Sequence, residues 1–209
     1  MSTGKLTLTT FLTLDGVMQA PGGANEDQSG NFQHGGWLVP YVDDVMFRIV
    51  GQRFGNADAF VLGRKTYQIF AAYWPRITDP ADPVASALNR LPKYVASKTL
   101  QKTEWHNSSL IRGDLAEQVA ELKRRYPREI QIHGSGDLAQ TLIARDLVDE
   151  YHLWLYPVIL GTGKRLFASG TIPAALTLAE TTTTSTGVVV SIYRRAGKPT
   201  YGSFELDQA

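Results

Sequence analysis

Short apolar runs that predict strands alternate with amphipathic stretches that predict helices, and this order restricts the fold more than any other feature of the chain. Strands are predicted at residues 5–14, 59–62, 93–97, 108–112, 129–133 and 151–160. Helices are predicted at residues 40–54, 64–74, 114–126 and 137–147, with one or two helical turns near residues 85–90. An antiparallel hairpin is predicted for 176–184 and 188–194, because Ser185, Thr186 and Gly187 supply a turn. We therefore expect one α/β domain over residues 1–209, with a mostly parallel central sheet, helices on both faces and a C-terminal antiparallel hairpin.

The composition excludes several classes of function. The chain has 21 Lys and Arg against 20 Asp and Glu, so it offers no electrostatic case for a nucleic-acid partner or an anionic membrane. It has no cysteine, which removes disulfides, thiolate nucleophiles and cysteine-ligated metals. The four histidines are not spaced as a ligand pair, so no metal site is expected. Because no signal peptide or membrane-length apolar run is present, we expect a cytoplasmic protein.

A polar, glycine-rich segment, residues 15–36, separates the first strand from the first helix. Loops of this length are uncommon inside compact domains, and many of them cover a binding site. The composition is equally compatible with a disordered insertion. Both interpretations stay open at this point.

Three turns at predicted strand ends carry residues that suit an anion. Gly63-Arg64-Lys65-Thr66 and Gly134-Ser135-Gly136-Asp137-Leu138-Ala139 each join a strand to a helix, whose first N–H groups face outward. The second of these matches the G-x-G-x-x-G/A phosphate pattern. Ser97-Lys98-Thr99 ends another strand with hydroxyls and a cation. Any one of the three could be a plain polar turn, but together they predict a phosphate-rich cofactor, and the cations favour NADP over NAD.

The order of these motifs resembles the dihydrofolate reductase-like superfamily. Trp37-x-x-Pro40, the three turns, and Pro157-x-x-x-Gly161-x-Gly163 make the chain most similar to the C-terminal pyrimidine reductase domain of bacterial riboflavin biosynthesis proteins. The resemblance implies a three-layer dihydrofolate reductase-like fold, NADPH as cofactor, a small-molecule substrate and a homodimer. It also implies reduction of a pyrimidine-like heterocycle, as in 5-amino-6-(5-phosphoribosylamino)uracil reduction, or of a pterin-like one.

The same resemblance implies a role for each turn. Arg64, Ser97 and Lys98 would hold the adenosine-side phosphates. Thr66 would meet the diphosphate together with the backbone of the third turn, and Asp15 and Gly16 would lie near the nicotinamide. The complete set predicted to bind cofactor is Asp15, Gly16, Gly63, Arg64, Thr66, Ser97, Lys98, Gly134, Ser135, Gly136, Asp137 and Leu138.

The substrate side is less determined. Asp43, early in the first helix, would be the catalytic polar group, or else a carboxylate that stabilises the helix N-terminus. Trp37, Phe47 and His133 would line a pocket between residues 15–36 and the helix, or else belong to the core. His133 stands where riboflavin-pathway reductases typically carry a glutamate.

Two questions remain open on sequence alone. Lys164 and Arg165 could meet a substrate phosphate or form a solvated loop. The alternative to a reductase is a non-catalytic nucleotide- or flavin-binding protein on the same fold.

Overall fold

The computed structural model describes residues 3–167 and 169–204, and within them it contains one eight-stranded sheet. The strands are β1 Lys5–Thr13, β2 Ala57–Gly63, β3 Lys93–Ala96, β4 Ser108–Leu110, β5 Glu129–His133, β6 Glu150–Tyr156, β7 Leu176–Thr183 and β8 Val189–Arg195. Their order is β4-β3-β2-β5-β1-β6-β8-β7. The first six run parallel, and β8 and β7 are antiparallel, which confirms the predicted mixed sheet with a C-terminal hairpin.

Helices cover both faces of the sheet. They are α1 Asp44–Gly55, α2 Arg64–Tyr73, α3 Pro83–Arg90, α4 Leu115–Arg125 and α5 Gly136–Ala144. One face buries Ile130 and Ile132 against α4 and α5. The other buries Phe60 and Leu62 against the α1, α2 and α3 side. Because the side chains of a strand alternate between the two faces, β2 contributes Val61 to the first core and Phe60 and Leu62 to the second.

Two element boundaries differ from the prediction by four residues. Pro40 lies in a short 3₁₀ turn, and α1 begins only at Asp44, because the side chain of Asp43 accepts a hydrogen bond from the Met46 amide and caps the helix there. The strand predicted to reach Leu160 ends at Tyr156, since Pro157 has no N–H to continue the ladder.

Segment 15–36 is packed against the rest of the fold. Val17, Ala20 and Phe32 are buried in a cluster that also contains Trp37 and Tyr156. The segment is therefore part of the core, and the disordered-insertion interpretation is wrong. No helix in the described part of the chain is long and apolar enough to cross a membrane.

Candidate functional site

The three predicted turns lie side by side. Strand β2 has β3 on one side and β5 on the other, all parallel, so their carboxyl ends share one edge of the sheet. Gly63 pairs with Ala96 in the ladder, so the residues that follow them, Arg64 and Ser97, leave the sheet side by side. The structure thus brings the three turns together at one edge of the sheet, and the cofactor they are predicted to bind stays a prediction.

Hydrogen bonds join the first and third turns into one unit. The Gly63 amide donates to Ser135 Oγ at 3.0 Å, and the Ser135 amide donates to Thr66 Oγ1 at 3.2 Å. Gly134 and Ser135 both have φ of +55°, and this left-handed turn delivers the chain into α5 at Gly136. A Cβ on Gly63 would lie 3.3 Å from the Ser135 Cβ, so the close approach favours glycine there.

The exposed cations of this edge fit a phosphorylated cofactor. Neither Arg64 nor Lys98 has a carboxylate within ion-pair distance in the described part of the chain, and both are exposed. Ser97 Oγ accepts from the amides of Thr99 and Leu100, which leaves its own proton free to donate. Cations and hydroxyl donors are groups that form strong hydrogen bonds to a phosphate.

The end of the third turn contributes backbone more than side chains. The Leu138 side chain is buried in the core, so only its amide could reach a ligand. The Asp137 carboxylate is exposed in the first turn of α5, where it stabilises the helix but repels a phosphate. The fit of this turn to a diphosphate thus rests on its N–H groups.

Asp15 and Gly16 shape a neighbouring loop. The Asp15 carboxylate accepts hydrogen bonds from Thr13 Oγ1 at 2.6 Å and from the Gly161 amide at 2.9 Å, and it pairs with Arg165 at 3.2 Å. The Thr13 hydroxyl is the largest cause that lowers the pKa of Asp15 to about 2. Gly16, with φ of +79°, makes the turn. Their predicted contact with the nicotinamide stays a prediction.

Sequence reasoning missed Met18. Its sulfur would lie 3.4 Å from a Cβ built on Gly136, so the side chain rests against the start of α5. The Met18 amide donates to the Lys164 carbonyl, which ties the segment to the loop after β6. A lone methionine in a polar segment carries no periodic signal that predicts this placement.

Segment 15–36 is also fixed by an ionic cluster. Asp27 lies 3.1 Å from Lys65 Nζ and 2.6 Å from Lys164 Nζ. Ser29 Oγ lies 2.7 Å from Lys164 Nζ and 3.4 Å from Lys65 Nζ. Lys164 is therefore engaged with a carboxylate of its own chain and is not part of a purely solvated loop.

The three predicted substrate residues lie in different surroundings. Trp37 is buried, packs edge-on against Tyr156, and donates from Nε1 to the Gln19 carbonyl at 2.8 Å. Phe47 is 65 % exposed on the outer side of α1. His133 is buried and stacks on Phe54 with ring centroids 4.5 Å apart. Residues 15–36 and α1 share one buried hydrophobic cluster, and a substrate pocket between them stays a prediction.

His133 is a neutral core histidine. Burial, with a smaller contribution from the charge of His152, lowers the pKa of His133 to about 3. Its Nε2 lies 3.1 Å from Gln131 Oε1. An imidazole with so low a pKa is neutral near neutral pH: it keeps one N–H but is not a protonated acid.

Asp43 holds α1 to the hairpin turn. One carboxylate oxygen caps the helix, and the other accepts from Ser185 Oγ at 2.6 Å and from the Thr186 amide at 3.3 Å. The Ser185 hydroxyl, followed by the Met46 amide, holds the pKa of Asp43 below its usual range. The carboxyl is therefore ionised at neutral pH and accepts hydrogen bonds. The expectation of a helix-stabilising carboxylate is confirmed, and a catalytic role stays a prediction.

A groove that the sequence did not indicate lies on the far side of α2. Its volume is about 1150 Å³, and its walls include Tyr67, Asn89 and Trp105. None of the predicted site residues lines it.

Comparison with known proteins gives consistent results. The RibD C-terminal domain family matches residues 4–190. The uncharacterized protein YyaP of Bacillus subtilis strain 168 is 28 % identical over 195 residues, which cover 92 % of this chain and 96 % of YyaP.

Solved structures share the fold. A Shewanella sp. PV-4 protein that is named for riboflavin biosynthesis superposes with a TM-score of 0.69 at 21 % identity, over 92 % of this chain and 99 % of that one. Dihydrofolate reductase from Enterococcus faecalis, solved in complex with NADP(H), gives a TM-score of 0.56 at 12 % identity, over 93 % and 98 % of the two chains. At these identities the likeness shows the dihydrofolate reductase-like fold.

Proposed function

The chain belongs to the RibD C-terminal domain family, and on that basis we propose that it is an NADPH-dependent reductase of a small heterocyclic substrate. The proposed substrate is pyrimidine-like, as in 5-amino-6-(5-phosphoribosylamino)uracil reduction, or pterin-like. A homodimer and a cytoplasmic location belong to the same proposal.

The observation that carries the proposal is the set of adjacent turns after β3, β2 and β5. They present Arg64 and Lys98 without carboxylate partners in the described part of the chain, beside the outward-facing amides that open α2 and α5. In open α/β sheets, ligands bind outside the carboxyl ends of the strands. This edge is therefore the place where an elongated phosphorylated cofactor is expected.

Each part of the edge has a proposed task. NADPH, when bound, supplies the hydride. Arg64, Lys98 and the Ser97 hydroxyl bind the 2′-phosphate, and the backbone of Gly134 to Asp137 binds the diphosphate. Segment 15–36 excludes water from the ends of β1 and β6, where its apolar side chains are buried.

The proton that accompanies hydride transfer comes, in this proposal, from water. His133 is neutral because its pKa lies near 3, and Asp43 is ionised because its pKa lies below its usual range. Neither group is in its acidic, protonated form near neutral pH. Asp43 could still orient a substrate N–H as an acceptor.

A second candidate function is favoured by one observation. Phe32, Trp37 and Met46 share a buried cluster at the place where a heterocycle pocket is expected, between residues 15–36 and α1. A protein that binds the nucleotide, or a flavin in the same cleft, without turnover needs no such pocket. Binding without reduction across pyrimidine and pterin substrates would favour this candidate.

The test is a titration of the purified chain with NADPH, NADH and FMN, followed by nicotinamide or flavin fluorescence. Arg64→Ala and Lys98→Ala are each expected to weaken NADPH binding by about tenfold or more, because a charge-assisted hydrogen bond is lost, and to leave NADH binding nearly unchanged. Arg48→Ala and Lys102→Ala are the matched controls, since both remove an exposed cation outside the proposed cleft.

The outcomes separate the candidates. Tight NADPH binding that depends on Arg64 and Lys98 supports the cofactor assignment. Preference for FMN over both nicotinamides supports the flavin alternative. No nicotinamide binding at near-physiological concentration would sink the reductase proposal.

A further inference from the structure

Two lysines from distant parts of the chain hold one carboxylate between them. Lys65 lies in the first turn of α2, and Lys164 lies in the loop after β6. Their ammonium groups reach different oxygens of Asp27, Oδ1 at 3.1 Å and Oδ2 at 2.6 Å. The Asp27 side chain is only 17 % exposed, whereas both lysines are about half exposed.

Ser29 completes the cluster. Its hydroxyl donates to Asp27 Oδ1 at 2.6 Å, and its amide donates to the same oxygen at 3.1 Å. The hydroxyl also lies within 2.7 Å of Lys164 Nζ. Two ammonium groups and a hydroxyl around a planar anion are the donors that a phosphate group uses when it binds to a protein.

The cluster lies next to the proposed cofactor cleft. Lys65 stands between Arg64 and Thr66, and the Thr66 hydroxyl accepts from the amide of Ser135 in the third turn. On the other side, the Lys164 carbonyl accepts from Met18, whose side chain rests against the start of α5. Both lysines are thus positioned by the elements that form the cleft.

We infer that Lys65 and Lys164 form a binding site for a phosphate group, and that Asp27 occupies this site when no anionic ligand is bound. Binding of the phosphate and release of Asp27 are then one exchange. The position of the ligand rests on the proposed function, but the affinity of the lysine pair for phosphate does not.

The two lysines can bind either the Asp27 carboxylate or a phosphate group. Without an anion between them the two lysines repel each other, so the site favours some negative group. Burial by itself raises the pKa of Asp27, but hydrogen bonds from Lys164, Ser29 and Lys65 outweigh it and hold that pKa below its usual range. Ion pairs to half-exposed lysines contribute little net stability, so a doubly charged phosphate can displace a singly charged carboxylate.

The experiment is a calorimetric titration of the full chain with inorganic phosphate and with pyrophosphate at low, constant ionic strength. Asp27→Asn removes the competing charge and is expected to bind phosphate about three- to fivefold tighter than wild type. Lys65→Gln and Lys164→Gln are expected to bind it at least as much weaker. Lys102→Gln, which removes an exposed lysine paired with Glu104, is the matched control and is expected to bind like wild type.

A second measurement covers the case in which Asp27→Asn does not fold. In wild-type protein, saturating phosphate is expected to raise amide hydrogen exchange at Glu26 and Ser29, because release of Asp27 frees this part of the segment. Unchanged exchange at these amides, together with variants that bind phosphate no differently from wild type, would overturn the inference and leave Asp27 as a structural latch.

Competition identifies the source of the phosphate. If pyrophosphate and NADPH exclude each other, the site takes the cofactor diphosphate. If phosphate binds alongside NADPH, it takes a phosphate on the substrate. Phosphate binding that follows the variants without any NADPH binding would sink the proposed function alone. NADPH binding without an effect of Asp27, Lys65 or Lys164 on phosphate would sink this inference alone.

Discussion

The two halves of the sheet's carboxyl edge are covered in different ways. At the ends of β3, β2 and β5, which we call the open half, short turns leave Arg64 and Lys98 exposed and without carboxylate partners in the described residues. At the ends of β1 and β6, the closed half, segment 15–36 and the loop after β6 pack together. Asp15 binds the Gly161 amide there, and Val17 and Phe32 are fully or almost fully buried.

The two halves differ in how far apart in sequence their contacting residues are. The open half is built mostly by local turn chemistry, in which a strand ends and a helix begins within a few residues. The closed half depends on bonds between residues far apart in sequence, such as Asp15 with Gly161 and Asp27 with Lys164. We therefore expect surface substitutions in the open half to lower ligand affinity with little change in the free energy of unfolding. Substitutions in the closed half are expected to lower the free energy of unfolding.

Gly163→Ala tests the closed half with the largest expected effect. Gly163 has φ of +123°, and a Cβ would lie 2.6 Å from Val17 Cγ1 and 2.8 Å from a ring carbon of Phe32. Overpacking and backbone strain together are expected to lower the free energy of unfolding by about 2–4 kcal/mol. Urea denaturation measures the change.

Gly161→Ala is its matched control. Gly161 also has positive φ, +78°, but a Cβ there would meet nothing within 4 Å. Only backbone strain applies, and a loss of about 1 kcal/mol is expected. Equal losses in the two variants would contradict the tight packing of the segment and with it the distinction between the halves.

His133, at the end of β5, tests whether the interior beneath the open half is closed to protons. Because burial lowers the pKa of His133 from its ordinary value of 6.5 to about 3, the unfolded chain binds a proton between these pH values and the folded chain does not. Stability is therefore fully present above pH 6.5 and falls as the pH drops toward 3. His133→Phe, which can keep a ring against Phe54, is expected to remove about one proton, or about 1.4 kcal/mol per pH unit, from the slope between pH 6 and 5.

The interval between pH 6 and 5 separates the effect of His133 from that of Glu150. Glu150 also has a lowered pKa, about 2, caused first by the hydrogen bond from His152, but its contribution is lost only below about pH 4.5. A wild-type slope in His133→Phe would mean that the ring is accessible to protons, and hence that the open half is open to its base.

The sequence predicted the open half because its signals are local. Gly63-Arg64-x-Thr66 and Gly134-Ser135-Gly136 each combine a strand end, a turn and a helix start, and parallel strands bring such turns to one edge. The bond between Gly63 and Ser135 was not predictable in detail, but the neighbourhood of the two turns was.

The closed half could not be predicted in the same way. The contacts of Met18 and Asp27 are made with residues that only the tertiary fold brings near, and a polar segment carries no period that indicates which side chains are buried. The surroundings of the aromatic residues were not predictable for a related reason, since composition does not show that Phe47 is exposed while Trp37 is buried. Proline favours the first helical position, which predicts a helix start at Pro40, but the capping carboxylate of Asp43 begins the helix.

Asp43 gives the smallest expected effect and tests where the boundary between the halves lies. Asp43→Ala removes the cap of α1 and the bond to Ser185, so the melting temperature is expected to fall by about 2–4 °C, and Asp43→Asn should retain most of it. Because both contacts lie on the closed side, NADPH affinity should stay within about twofold of wild type. In the double variant Asp43→Ala, Ser185→Ala, the fall in melting temperature should be smaller than the sum of the two single falls, since each single change already breaks the same hydrogen bond. A loss of NADPH affinity in Asp43→Ala as large as in Arg64→Ala would instead place this carboxylate at the ligand, extend the open half to the start of α1, and restore the catalytic role as the better interpretation.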